Sequence, residues 1–213
     1  MDAKSLVALA IASACWMAIP STTRGQAPKA ATYITDEEVK TVNATPGIDR
    51  TIRVVDIGNE NFAVGIIHRV ATPAAARRVE GAPPAAAAAG ESCGEQATNP
   101  PANAISGITH DSQTEGYVIV SGSGTLVTGG HIVNGRKSAP DGVVTRELNG
   151  PSCSGMIVGS DVVQRPVKTG DIIIIPAGVA HGWTGIADHV DYLSLRPSDH
   201  VLQAGYVHPS IKK

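Results

Sequence analysis

Two segments of this 213-residue chain carry side chains that can bind a metal or move a proton. Residues 170–185 read GDIIIIPAGVAHGWTG. A Gly-Asp turn leads into four isoleucines, Pro176 stops the strand, Gly178 allows a sharp reversal, and His181 follows three residues later. That sets one imidazole just past a buried strand. Upstream, His110-Asp-Ser-Gln-Thr-Glu115 leads into a second strand, YVIV, that ends at Ser121-Gly122. Each segment therefore brings a metal-ligand type to a strand end. Side chains alternate along a strand, so Tyr117 shares a face with Glu115, and Trp183 with His181. Trp183 could form an apolar wall of a cavity there, and Tyr117 could serve as a hydrogen-bond donor, as a general acid or simply as core packing.

Together the segments resemble the two motifs of the cupin superfamily. The second motif, G-x5-P-x-G-x2-H-x3-N, is matched by Gly170, Pro176, Gly178 and His181, with Gly185 where the family has Asn. The first, G-x5-H-x-H-x3-4-E-x6-G, is matched by His110, Glu115 and Gly122, with Ile108 at the place of the first His. The resemblance covers residues 104–196. It implies an all-β fold, a cupin jelly-roll β-barrel with short peripheral helices and long loops. It also implies that His110, Glu115 and His181 meet in the interior around one divalent metal ion. Two imidazoles and a carboxylate suit Fe(II), with Mn, Ni, Co or Zn as competitors, because open positions remain for water, oxygen or substrate.

Positions 108 and 110 share a face, so Ile108 would lie beside the metal with Trp183 lining the substrate space. Ile108 has two readings: an extra open position for substrate, or a barrel that now binds something without metal. Glu115 and Tyr117 are the candidate catalytic groups, Glu115 as a base that could leave the metal. The implied function is a metal-dependent enzyme of dioxygenase, lyase or isomerase type acting on a small organic molecule. A non-catalytic small-ligand binder and a structural cupin with a vestigial site are the alternatives.

The elements that must position these residues are mostly strands. A short helix is expected over 36–43, with Thr35 as N-cap and Glu38 completing a capping box. Residues 51–56 and 62–70 read as a hairpin turning at Gly58-Asn59. His68, on the second of these strands, is either a partly buried residue with a hydrogen-bond partner or a replacement fourth ligand. Residues 71–103, rich in Ala, Pro and Gly, read as a long exposed loop or lid, or as a plain surface insertion. From residue 104 strands are expected at about 104–110, 115–121, 124–128, 143–148, 156–164, 171–176 and 181–195, a pattern of a closed or sandwiched antiparallel sheet. Residues 130–138 read as a hairpin loop; they approach a phosphate loop, but Arg136 occupies the lysine position. The last strand carries Val190, Tyr192 and Ser194 on one face, and Ser198 is placed to cap a closing helix. His189, His200 and His208 read as surface or packing residues.

Composition bounds the rest. The formal net charge of −2, with one Phe, two Trp and four Tyr, offers neither the basic footprint nor the aromatic platform that nucleic acid needs. Residues 1–27 read as a secretory signal: Lys4, an apolar run over 6–17, and small residues before Pro28. No later run is long enough for a membrane span. The mature chain is thus expected to be periplasmic or secreted, to take a small-molecule ligand, and to be free to form a homodimer. Its domain plan is a helix and strands over 28–70 packing on the barrel, the loop over 71–103, and the cupin barrel over 104–213. Cys15 leaves with the signal. Cys93 and Cys153 remain, either as a disulfide suited to an oxidising compartment or as two separate thiols. Neither H-E-x-x-H nor G-x-G-x-x-G occurs.

Overall fold

The computed structural model describes residues 29–72, 90–101, 103–198 and 200–212. The expected signal segment and most of the Ala/Pro-rich loop, including residues 85–89, lie outside the described residues. The helix α1 (Asp36–Asn43) forms as its capping signals dictate. Thr35 Oγ1 accepts from the Glu38 N–H at 3.2 Å, and the Glu38 carboxylate accepts from the Thr35 N–H at 3.3 Å. Two otherwise orphaned donors are thus satisfied at once. Val42 on its inner face packs on Ile52 and Ile66.

Eleven strands are named among the described residues: β1 (Asp49–Asp56), β2 (Asn61–Val70), β3 (Ser92–Cys93), β4 (Ile105–His110), β5 (Glu115–Thr128), β6 (His131–Lys137), β7 (Ser152–Val158), β8 (Val163–Lys168), β9 (Ile172–Ile175), β10 (His181–Thr184) and β11 (His189–Pro197). Every named pairing is antiparallel. One sheet runs β1-β2-β11-β5-β9, and the other β3-β6-β7-β4-β10-β5-β8. Strand β5 belongs to both. Its first half pairs with β9 and β11, its second half with β8 and β10. The change falls at Gly122, whose φ of 70° is left-handed and whose Cβ, if it had one, would run into the His189 carbonyl. The core between the sheets is drawn from both: Ile67, Tyr117, Ile119 and Tyr192 from one, Leu126 and Trp183 from the other. Alternation on β2 sends Ile66 to the helix and Ile67 to the barrel interior. Each such buried aliphatic side chain stabilises the fold by about 1.5–3 kcal/mol.

The expected all-β jelly roll is therefore present, with local differences. Residues 115–121 and 124–128 are one strand, because Gly122 lets β5 bend without ending. The β-branched run expected as a strand at 143–148 is instead a π-helical turn, Val144–Leu148. Its backbone bonds are local, Arg146 N–H to the Gly142 carbonyl and Asn149 N–H to that of Val144, with none of its residues buried. Propensity lost there because, among the described residues, no strand pairs with it in a ladder; from β1 the Thr51 hydroxyl donates to the Glu147 carbonyl. Conversely, residues 152–158 and 131–137 are strands despite Gly, Ser and Asn, because pairing with β4 and with each other overrides weak propensity. The strand expected over 156–164 divides into β7 and β8, and the one over 181–195 into β10 and β11. Among the described residues Ser198 caps no helix; its hydroxyl donates to the Asn61 carbonyl, and the closing 3₁₀ turn Pro209–Ile211 is capped by His208.

Cys93 and Cys153 are bonded, with Cα atoms 6.0 Å apart. The bond reaches past β6, with which β3 pairs, to β7. It thereby fastens the chain that follows the Ala/Pro-rich stretch to a strand adjoining β4.

Candidate metal centre

Three strand ends converge inside the barrel. His110 is the last residue of β4, Glu115 the first of β5, and His181 the first of β10. Register sets β10 beside β4 with His181 opposite Ile108, and the Gly178 N–H donates to the His110 carbonyl at 2.8 Å, locking the turn that delivers His181. The side chains expected to meet do so: one donor atom from each lies within 4.8 Å of the others. His110 Nε2 is 3.3 Å and His181 Nε2 3.1 Å from the same oxygen, Glu115 Oε2. All three residues are buried, at 2 %, 4 % and 2 % exposure for His110, His181 and Glu115.

Proton positions decide what this cluster can hold. His181 Nδ1 lies 3.0 Å from the Val179 carbonyl, which only accepts, so its proton sits on Nδ1. His110 Nδ1 lies 2.9 Å from Ser152 Oγ, whose own proton goes to the Gly150 carbonyl, so that imidazole also donates from Nδ1. Burial pushes the His110 pKa down, against the opposing pull of Glu115, which keeps the ring neutral at neutral pH. Its Nε2 is then a bare lone pair aimed at a carboxylate oxygen. Burial alone would raise the Glu115 pKa, yet the carboxyl is held well below the usual range; with both Nε2 atoms bare, the buried Arg196 guanidinium is the cause that remains. Acceptors thus face one another at one point, an arrangement that a cation satisfies. Outer partners that fix the ring tautomer are what metal-ligating histidines use. The donor set fits a divalent transition metal.

The second carboxylate oxygen is held from behind. Glu115 Oε1 accepts from Ser194 Oγ at 2.9 Å and from Arg196 Nε at 3.1 Å. Arg196 is fully buried and bridges two acids, with Nη2 donating to Asp49 Oδ2 at 2.6 Å and Nη1 to the Leu148 carbonyl at 2.9 Å. Burial by itself would lower its pKa; Asp49 and Glu115 raise it instead, so the charge is permanent. Arg196, Asp49 and Ser152 were not among the residues expected at the site. A usable signal existed for Arg196, because Val190, Tyr192, Ser194 and Arg196 alternate on β11 and all four face inward.

The other expected site residues are positioned as follows. Tyr117 O–H donates to Glu115 Oε2 at 2.7 Å, and its pKa is pushed well above 10.0 by burial first and the Glu115 charge second, so it keeps its proton. Its ring packs on Tyr192, which stacks on Trp183 at 5.3 Å. Ile108 is half-buried on β4, two residues before His110. Six buried side-chain polar atoms, Gln113 Oε1 and Trp183 Nε1 among them, have no hydrogen-bond partner among the described residues. His68 does not join the cluster; it pairs with Asp191 at 2.6 Å and stacks on His189.

No protein-family model matches this chain, and no curated protein does. Among solved structures it is similar to an uncharacterized conserved protein with a double-stranded β-helix domain from Klebsiella pneumoniae, at 15 % identity over 81 % of this chain and 94 % of that one, TM-score 0.37. It is also similar to a cupin protein from Bacteroides fragilis, at 12 % identity over 71 % and 78 %, TM-score 0.30. A third, oxalate oxidase in complex with the substrate analogue glycolate, shares 13 % identity over 74 % and 54 %, TM-score 0.32. Scores this low leave the assignment to the strand pairing and to the site. Two antiparallel sheets sharing β5, with two histidines and a glutamate gathered between them, define a jelly roll with a metal-type centre. The fold is the jelly roll that the two sequence motifs lead one to expect.

Proposed function

We propose that this chain is an exported metal-binding cupin in which His110, Glu115 and His181 hold one divalent cation, Fe(II) foremost, with Mn, Ni, Co or Zn in competition. The observation that carries the reading is the convergence of both Nε2 atoms on Glu115 Oε2 while each Nδ1 is already engaged elsewhere. Export is supported by the Cys93–Cys153 bond, a feature of oxidising compartments. A divalent ion at this point would supply Lewis-acid or oxygen-activating chemistry, which suits a dioxygenase, lyase or isomerase acting on a small organic molecule. Tyr117 would act as a hydrogen-bond donor that keeps its proton, Glu115 would anchor the ion, and Ile108 and Trp183 would wall the substrate.

A second reading has its own observation. Ligands exposed by no more than 4 % favour a metal that stabilises the barrel without meeting substrate. Metal analysis of the purified protein comes first. In a chain starting at residue 28, Trp183 is the sole tryptophan. Adding Fe(II), Co(II) or Ni(II) to the metal-free form should change its fluorescence up to one equivalent. His110→Ala, Glu115→Ala and His181→Ala should each weaken the response, and His200→Ala should not. Stoichiometric binding that survived loss of His181 and Glu115 together would overturn the site. Oxygen consumption over a substrate panel then separates enzyme from binder. Sequencing the N-terminus of native protein tests export, with a start near Pro28 expected and Met1 the contrary result.

A further inference from the structure

Arg196 touches none of the three atoms that face the cation point, yet it governs the residue that supplies one of them. Glu115 has two oxygens with different surroundings. Oε2 faces His110 Nε2, His181 Nε2 and the Tyr117 hydroxyl. Oε1 faces the opposite way, with two donors on it, Arg196 Nε and Ser194 Oγ. Arg196 is itself immobilised by Asp49 Oδ2 and the Leu148 carbonyl. Gly65 on β2 makes room for it: a Cβ there would lie 3.3 Å from Nη1.

We infer that Arg196, with Ser194, is a positioning residue that restricts Glu115 to ligation through Oε2 alone. For Glu115 to offer both oxygens, Oε1 would have to leave Arg196 Nε and Ser194 Oγ. A buried guanidinium would then lose a charge-assisted partner that water cannot replace. The guanidinium also draws negative charge toward Oε1, on the side away from the histidines. With Ile108 in place of another imidazole, the chain then supplies two nitrogens and one oxygen. The position that a two-oxygen carboxylate would fill stays available to a small ligand. This inference rests on the metal reading above.

The test uses the chain from residue 28, stripped of metal and reloaded with one equivalent of Zn(II) for infrared difference spectra and of Co(II) for visible spectra. The separation of the two carboxylate stretches is wide for one-oxygen ligation and narrow for two. The wild-type protein should take up the metal stoichiometrically and show the wide separation. Arg196→Met should narrow it and weaken the Co(II) bands as coordination rises, while Arg196→Lys, which can still donate to Oε1, should restore both. Uptake with a narrow separation in the wild type overturns the inference alone, and needs no variant to fold. Absence of stoichiometric uptake overturns the metal reading and the inference with it. A folded Arg196→Met protein with wild-type spectra shows that Arg196 does not set the ligation.

Discussion

Ser152→Ala tests the proton assignment that makes the cluster a metal site. Ser152 stands opposite His110 across the β4–β7 pair, and its hydroxyl makes two bonds, accepting from Nδ1 at 2.9 Å and donating to the Gly150 carbonyl at 2.9 Å. Alanine leaves a buried imidazole N–H without an acceptor, which costs about 1–3 kcal/mol of stability in the metal-free fold. The imidazole also loses what fixes its tautomer. Its proton can then move to Nε2, where it competes with the cation directly. Outer partners of this kind are worth about 10–100-fold in metal affinity, or about 1.4–2.7 kcal/mol. Competition for Zn(II) against a chromophoric chelator near neutral pH reads the affinity, and urea unfolding of the metal-free form reads the stability. The expected result is weaker binding at unchanged stoichiometry, with Ser152→Thr keeping most of the affinity. A folded Ser152→Ala protein that bound as tightly as the wild type would refute the argument that Nδ1 carries the proton.

Acidification should destabilise the metal-free protein in two windows. The His110 pKa is lowered in the fold, so its contribution is present above about 6.5 and fades as pH falls below that value, while the depressed Glu115 pKa adds stability present above about 4.3 and lost as pH falls through its folded value. Unfolding midpoints across pH 7 to 3 measure both, and a flat profile counts against the pair. Reducing the Cys93–Cys153 bond, separated by 60 residues, should cost about 4 kcal/mol by the loop-closure relation, read as a lower urea midpoint; an unchanged midpoint would contradict it. Ile108→His, opposite His181 in register, should tighten metal binding by about tenfold or more, and weaker binding in a folded variant would show that position 108 does not face the cation.

Much of the site was legible because its signals are local. The capping box around Thr35 and Glu38, the hairpin at Gly58, and the histidines and glutamate at strand ends all follow from residues close in sequence. What escaped depended on distant partners. Val143 to Leu148 has strand-like side chains but no strand that pairs with it in a ladder, so the chain coils. Residues 152–155 have poor strand propensity, yet pairing with β4 makes them a strand and sets Ser152 under His110. Arg196 has inward parity, but only the fold brings Asp49, Leu148 and Glu115 around it from three distant parts of the chain. A charged residue near a strand end gives no sign of that by itself.

Strand β5 belongs to both sheets, and this has a consequence for how the chain can vary through descent. Glu115 opens it, Tyr117 follows two residues later, and four strands take their register from its 14 residues. One residue added between 116 and 121 would turn every later side chain to the opposite face. The error would reach both walls of the barrel together. The stretch at 139–143, which precedes the Glu147 and Leu148 carbonyls that accept from Thr51 and Arg196, can change length with far smaller effect. Diversification in this lineage should therefore appear as insertions between β6 and β7, with β5 held to constant length and position 122 confined to glycine.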